Sequence, residues 1–313
     1  MLPPLWLSSG LAMRLPPSTL SCTRSDLLVT AAACTSLAFP GRLLAATPAA
    51  ADPALRELLA RMQDGQPKQQ SLIFPTDGLG RGGGGDKLTF PPWMEGRWAV
   101  TSRPLSIAAP LGRRYLPTDL SRVKTGDLRD LGAPPLRYEV RFARRSTDGA
   151  IISDRPNNLR AVQDAAAGFS RVESASYDGR GKLSVNYSPF GRNGTYPGPS
   201  RAEVYINWRR QSAPAADAST FVFAEATRTV YLAQQRELST ISDAETICSF
   251  ERVPAAEAAA GERVVRARQR VLRYLTPNPN SVEGVLWSEA GGRAVASLEY
   301  ELDLVRLGPT ADM

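Results

Sequence analysis

The sequence predicts a mainly β protein folded as an antiparallel barrel, and three observations predict it. Through roughly the last two-thirds of the 313 residues, segment after segment alternates apolar and polar residues with a period of two. Asp-Gly, Gly and Pro signals separate these segments, as turns between neighbouring antiparallel strands require. The series opens with Phe90-Pro91-Pro92-Trp93-Met94-Glu95-Gly96-Arg97-Trp98. Pro91 and Pro92 cannot donate to a ladder and stop anything earlier from pairing through that point. Gly96 lets the backbone bend toward a neighbour, and the ring of Trp98 can then plug one end of a barrel.

Residues 1–51 carry Arg14, Arg24 and Arg42 against a single acid, Asp26, in a background of Ser, Thr, Ala, Leu and Pro. That composition fits an organelle transit peptide. Behind it, Arg24 precedes the apolar run Leu27–Phe39, and a small-residue stretch, Ala45–Ala51, follows. This is the layout of a signal peptide, too short for the roughly 20 residues a membrane span needs. From Asp52 to Met62 an Asp cap, Pro53 in the first turn, and Leu55, Leu58, Leu59 and Met62 on one face predict a short amphipathic helix. It would dock on the barrel or make a peripheral membrane contact. Gly78–Asp86 lacks the Gly-Lys-Ser/Thr ending of a phosphate loop and reads as a linker. The expected organisation is a bipartite targeting peptide over 1–51, a short helix and Gly-rich linker over 52–87, and one barrel domain over 88–308.

Within the barrel, Leu136, Tyr138, Val140 and Phe142 face inward and Arg137, Glu139 and Arg141 outward. After the Asp148-Gly149 turn, Arg155–Ala167 places Leu159, Val162 and Ala166 at helical spacing, with Gly168 to stop it. This is the one internal helix expected. Val172–Tyr177 and Lys182–Tyr187 flank Asp178-Gly179 as a hairpin. Arg201–Arg209 puts Ala202, Val204, Ile206 and Trp208 on one face. Phe221–Leu232, Glu245–Val253, Arg263–Leu275 and Ser297–Leu307 complete the strands.

Composition bounds the chemistry. The chain is 42% hydrophobic, enough for a full core. There is no histidine, which removes Ser-His-Asp and Cys-His catalysis and His-ligated zinc. Cys22 and Cys34 lie in the targeting segment, so Cys248 stands alone, without a disulfide partner or a thiolate metal cluster. The formal charge of +7 is modest, and acids interleave the arginines, unlike a nucleic-acid surface. No cofactor is expected.

The Gly96-x-Trp98 start and Arg306 on the last strand resemble the calycin, or lipocalin-like, barrels. The resemblance implies that Trp98 closes one end while the basic side chain packs across it, so Gly96, Trp98 and Arg306 are structural. The chain departs from that family in lacking a second motif and in placing its helix between early strands. The segments FPPWMEGRW, ETICSFERV and RARQRVLRYL also resemble an uncharacterised family of cyanobacterial and plastid proteins over most of residues 88–307, and the resemblance carries no established chemistry. The two-part leader is similar to those of thylakoid-lumen proteins, implying a chloroplast, lumenal location.

Two functions of different class follow. The first is a non-enzymatic carrier of an apolar small molecule such as a lipid, carotenoid or tetrapyrrole, with Tyr138, Phe142, Trp208 (or Tyr205, depending on register) and Tyr300 lining its interior. The second is a structural or assembly factor that binds a photosynthetic membrane protein complex, which calls for a filled barrel. An enzyme, or a chromophore lyase-like chaperone using Cys248, is the weaker third.

Overall fold

The computed structural model describes residues 52–69, 88–117, 120, 126–127, 134–191, 194–195, 199–232, 239–254, 264–277 and 282–310. Residues 1–51, where a targeting peptide is expected, and the Gly-rich stretch lie outside them. Three helices occur among the described residues: α1 (Pro53–Gln63), α2 (Arg155–Ala167) and α3 (Val282–Ala290). The strands are β1 (Gly96–Ala108), β2 (Gly126–Asp127), β3 (Leu136–Arg144), β4 (Ile151–Ser153), β5 (Val172–Tyr177), β6 (Lys182–Tyr187), β7 (Phe190–Gly191), β8 (Gly194–Thr195), β9 (Arg201–Gln211), β10 (Thr220–Leu232), β11 (Ser239–Arg252), β12 (Val264–Tyr274) and β13 (Ala296–Gly308).

All strand pairs are antiparallel, and the main sheet runs β4-β3-β1-β13-β12-β11-β10-β9-β6-β5. The first long strand therefore pairs with the last, and the sheet curls like a barrel. Its two edges, β4 and β5, are consecutive in the chain and are joined by α2. That helix packs on β3 and on β5, so it fills the seam.

Its side chains do what a missing strand would do. On one flank, Asn158 Oδ1 accepts from Arg141 N at 2.7 Å and Asn158 Nδ2 donates to Arg141 O at 3.0 Å, completing the free edge of β3. On the other, Asp164 Oδ1 accepts from the backbone of Arg171 and Val172, and Arg160 donates to Glu173 O. Buried edge groups without such partners would cost free energy, so the helix seals the seam through hydrogen bonds as well as packing. Asp154 caps its start through Asn157 N, and Gly168, at φ 71°, ends it in the left-handed conformation.

The two faces of the sheet differ. The inner face gathers Trp98, Val100, Phe142, Phe221, Phe223, Cys248, Phe250, Leu302 and Leu304 into the largest core cluster. The outer face carries a smaller cluster beneath α1, where Leu55 and Leu58 bury against Val222, Ala224, Ile247 and Leu272. Docking on the sheet thus buries Leu55 and Leu58, while Leu59 of the same helix stays exposed. Arg61 pairs with Glu245, and Arg270 Nη1 donates to the carbonyls of Arg61 and Met62 at 3.0 Å each, capping the helix end.

At the other end of α1, Asp52 Oδ1 accepts from Ala54 N and Leu55 N, while Oδ2 accepts from Ala213 N at 2.8 Å. Burial pushes its carboxyl up, but those backbone donors outweigh it and hold it below the usual range. Replacing Asp52 by Ala is expected to lower the unfolding free energy by about 0.5–2 kcal/mol, the usual cost of a lost cap. A urea midpoint unchanged from wild type would contradict this.

Elsewhere on the outer face the arginines are answered in register. Arg266, Arg268 and Arg270 of β12 stand opposite Asp303, Glu301 and Glu299 of β13. Opposite charges directly across a ladder attract, so the charges of the two strands balance on this face. The helix α3 was not expected. Its Val285, Leu286 and Trp287 are contiguous instead of spaced by a turn, and Gly284, a poor helix former, directly precedes them. Leu286 and Trp287 pack on Leu275, Ala290 and Val295.

Candidate functional site

The opening stretch sets one end of the interior. Pro92–Met94 form a turn of 3-10 helix, and the Met94 carbonyl accepts from Trp98 Nε1 at 2.8 Å. Trp98 is 1% exposed. Its ladder partner on β13 is Arg306, whose guanidinium crosses the space above Gly96. Gly96 sits at φ +132°, and a Cβ there would lie 2.7 Å from Gly308 O and 2.8 Å from Arg306 Nε. Only glycine fits that approach. The structure thus brings Gly96, Trp98 and Arg306 together in one corner.

Next to this corner lies an aromatic cluster that the sequence did not single out. Phe90, ahead of β1, bridges to Ile151 of β4 through its backbone and sends its ring into the interior. There it meets Phe142 at 4.7 Å, Phe221 at 5.4 Å, Phe223 at 5.8 Å and Phe250 at 6.3 Å between centroids. Edge-on arrangements at these distances are favourable for aromatic pairs. Each of the other rings lies on a strand that alternation identifies, but nothing in the sequence says that Phe90 is their centre.

Between these rings and α2 lies a cavity of about 70 Å³. Phe90, Phe142, Phe223 and Phe250 supply its apolar wall, Val162 of α2 its lid, and Tyr138, Ser153, Asn158, Cys248 and Gln269 its polar groups. Of the residues expected to line an interior, Tyr138 and Phe142 do so. Tyr300 is buried in the same core cluster without lining this cavity.

Trp208 does not face the interior. A bulge between Ile206 and Trp208 inserts a residue into β9, so that Trp208 stands opposite Ala226 and packs with Met62 in the outer cluster. Uninterrupted alternation had placed it beside Val204 and Ile206, and one extra residue reverses its direction.

Burial dominates the electrostatics of the cavity. The Tyr138 phenol, hydrogen-bonded to Ser102, is pushed well above its usual range by burial and by the neighbouring Cys248. Burial raises Tyr300 as well, with Arg273 opposing. Cys248 is pushed up to about 12, again by burial. The acidic neighbours of Cys248 in the sequence are not the cause. Asp243 and Glu245 sit at alternate positions of β11 and point to the outer face, where they meet Arg228 and Arg61. A thiol held this high is almost wholly protonated at pH 8 and weakly nucleophilic. Iodoacetamide is therefore expected to leave Cys248 unmodified in the folded protein and to label it in urea, and rapid labelling without denaturant would refute the buried geometry. Among the described residues no three Cys, Asp or Glu side chains are grouped to hold a metal ion.

Deeper along the inner face is a buried ion cluster. Arg155 of α2 donates to both oxygens of Glu225 on β10, at 2.6 and 3.1 Å, and Arg209 Nε lies 3.5 Å from the same carboxylate. Burial alone would raise the Glu225 carboxyl, but Arg155, then Arg209, hold it below the usual range.

The fold and its cavity define a mainly β, barrel-like protein with an aromatic interior. The family model described as "Domain of unknown function (DUF6816)" matches residues 82–308, and the chain belongs to that family. No curated protein matches the chain, and no solved structure does.

Proposed function

We propose that this chain is a non-enzymatic binding protein that takes an apolar small molecule beneath α2. The cavity between the phenylalanine cluster and the helix carries this reading. Its wall is apolar, its few polar groups converge from Tyr138, Gln269 and Asn158, and concave sites of this make-up are the usual form of small-molecule sites. At about 70 Å³ it is far below the roughly 300 Å³ at which ligand pockets begin. A lipid chain, carotenoid or tetrapyrrole is therefore admitted only when α2 moves off the seam.

The calycin likeness belongs to this proposal. The corner of Gly96, Trp98 and Arg306 supports it, because the first-strand ring and the last-strand cation meet as they do in those barrels. The plastid and thylakoid-lumen location is also part of it, and rests on the two-part composition of residues 1–51.

One observation favours the second reading, an assembly factor acting on a photosynthetic membrane complex. The described interior is largely filled by its own rings, which suits a protein that works through its surface. Native mass spectrometry with an absorption spectrum, on protein purified from its own organism, separates the two. A co-purifying lipid or pigment near one per chain is expected. A bare chain mass would discard the carrier, and a second polypeptide would establish the assembly role.

A further inference from the structure

Four large apolar side chains stand in water along the rim of the sheet furthest from Trp98. Phe190, 68% exposed, opens the β7–β8 hairpin that connects β6 to β9. Leu232 ends β10, Ile241 lies near the start of β11, and both are exposed. Val285, 62% exposed, is on α3 between β12 and β13. Since β6, β9, β10, β11, β12 and β13 are successive neighbours in the sheet, these positions follow one another along one arc. Ser200 joins two of them. Its carbonyl accepts from Tyr187 N at 2.9 Å and its N–H donates to Leu232 O at 3.0 Å, so the base of the Phe190 hairpin lies against Leu232. Ile241 stands opposite Val230, which makes it the diagonal neighbour of Leu232 on the outer face.

None of the four belongs to a core cluster, so packing within the fold does not account for them. Single exposed apolar side chains are ordinary, but a row of them along one rim marks an interaction surface. The charge of the same end indicates what it meets. Counted on the sequence, the connections at this end (109–135, 168–171, 188–200, 233–238 and 275–295) hold nine arginines and lysines against six acids. Those at the opposite end (145–150, 178–181, 212–219 and 253–263) hold three against five. The apolar end is therefore also the cationic one.

We propose that this rim docks the protein on an anionic lipid bilayer, with Phe190, Leu232, Ile241 and Val285 entering the headgroup region. The cationic connections around them then face lipid phosphates, and the acidic end points away. The side chains project from separate connections and line no groove. Such tips can enter a fluid layer without a matching shape, whereas a protein partner would have to supply a pocket for each. The proposal goes beyond the cavity reading and does not depend on it, because neither α2 nor the phenylalanine cluster takes part.

The test is co-sedimentation of the full-length chain with vesicles of phosphatidylcholine alone and of phosphatidylcholine with phosphatidylglycerol. Binding is expected to the anionic vesicles and to weaken as salt rises. The double substitution Phe190→Ser with Val285→Ser should reduce it at least about ten-fold, since a buried phenylalanine alone contributes that much. The urea midpoint of the variant should stay near that of the wild type, because neither side chain packs in the core. Anionic-vesicle binding that the double substitution leaves unchanged would overturn the proposal by placing the contact elsewhere in the chain. Equal binding to both kinds of vesicle would remove the electrostatic half of the argument and overturn it as stated. No binding of the wild type to either would discard the bilayer and leave the rim to a protein partner.

Discussion

Arg155→Met is expected to destabilise the protein by about 3–5 kcal/mol, because it leaves one partner of a buried charge pair behind. Glu225 is 1% exposed and cannot turn to water. It would keep only Arg209, 3.5 Å away, in place of two bonds from Arg155. The loss also removes the anchor that ties the first turn of α2 to β10, so the seam between β4 and β5 should open earlier than the rest of the sheet. The pH dependence identifies the cause. In the wild type the Glu225 carboxyl is held below its unfolded value by Arg155 and Arg209 against the opposing effect of burial. A depressed carboxyl stabilises the fold above its unfolded pKa, about 4.3, and that contribution is lost as pH falls through the folded value. In the variant burial dominates and protonation relieves the strain, so the stability gap between the two proteins should narrow on going from pH 7 toward pH 4. Urea melts across that range measure it. A gap independent of pH would mean that lost packing, not the stranded carboxylate, sets the cost.

The strands were legible because a half-buried antiparallel sheet writes its two faces into the sequence with a period of two. Tyr138 and Phe142 fall on the inner face for that reason alone. The hairpin at Asp178-Gly179 was legible from turn chemistry, and Asp178 Oδ1 accepts from the backbone of Arg180, Gly181 and Lys182 there. The helix over Arg155–Ala167 carried its own cap, spacing and stop. Its place in the architecture was not written locally. Which two edges it joins depends on the pairing of β1 with β13, a contact between opposite ends of the barrel sequence.

The candidate site was legible only in part, for two physical reasons. A bulge has no strong sequence mark, so Trp208 was assigned by an alternation that the backbone breaks. The centre of the aromatic cluster, Phe90, lies outside any regular strand and reaches the interior through an isolated bridge to Ile151. A lone Phe before two prolines gives no period to read.

Trp98→Ala should lower the unfolding free energy by about 3–5 kcal/mol, the range for deleting a large buried ring. The ring is 1% exposed and fills the end of the interior between Met94 and the inner faces of β3 and β13. Collapse into the hole is restricted on each side. Gly96 is already in close approach to Gly308 O, and Arg306 already lies across it. The backbone there has no slack to take up a side chain's worth of volume. The same geometry predicts that Gly96→Ala is destabilising although it adds only a methyl group, since φ +132° and a contact of 2.7 Å both oppose it. The two substitutions act on one corner, so their effects should not add: the cavity left by Trp98→Ala gives Arg306 room to move off Gly96, and the second change then costs less. A double-mutant cycle by urea denaturation reads this directly. Strict additivity would mean that Trp98 and Gly96 are stabilised independently and that the corner is not a single packed unit.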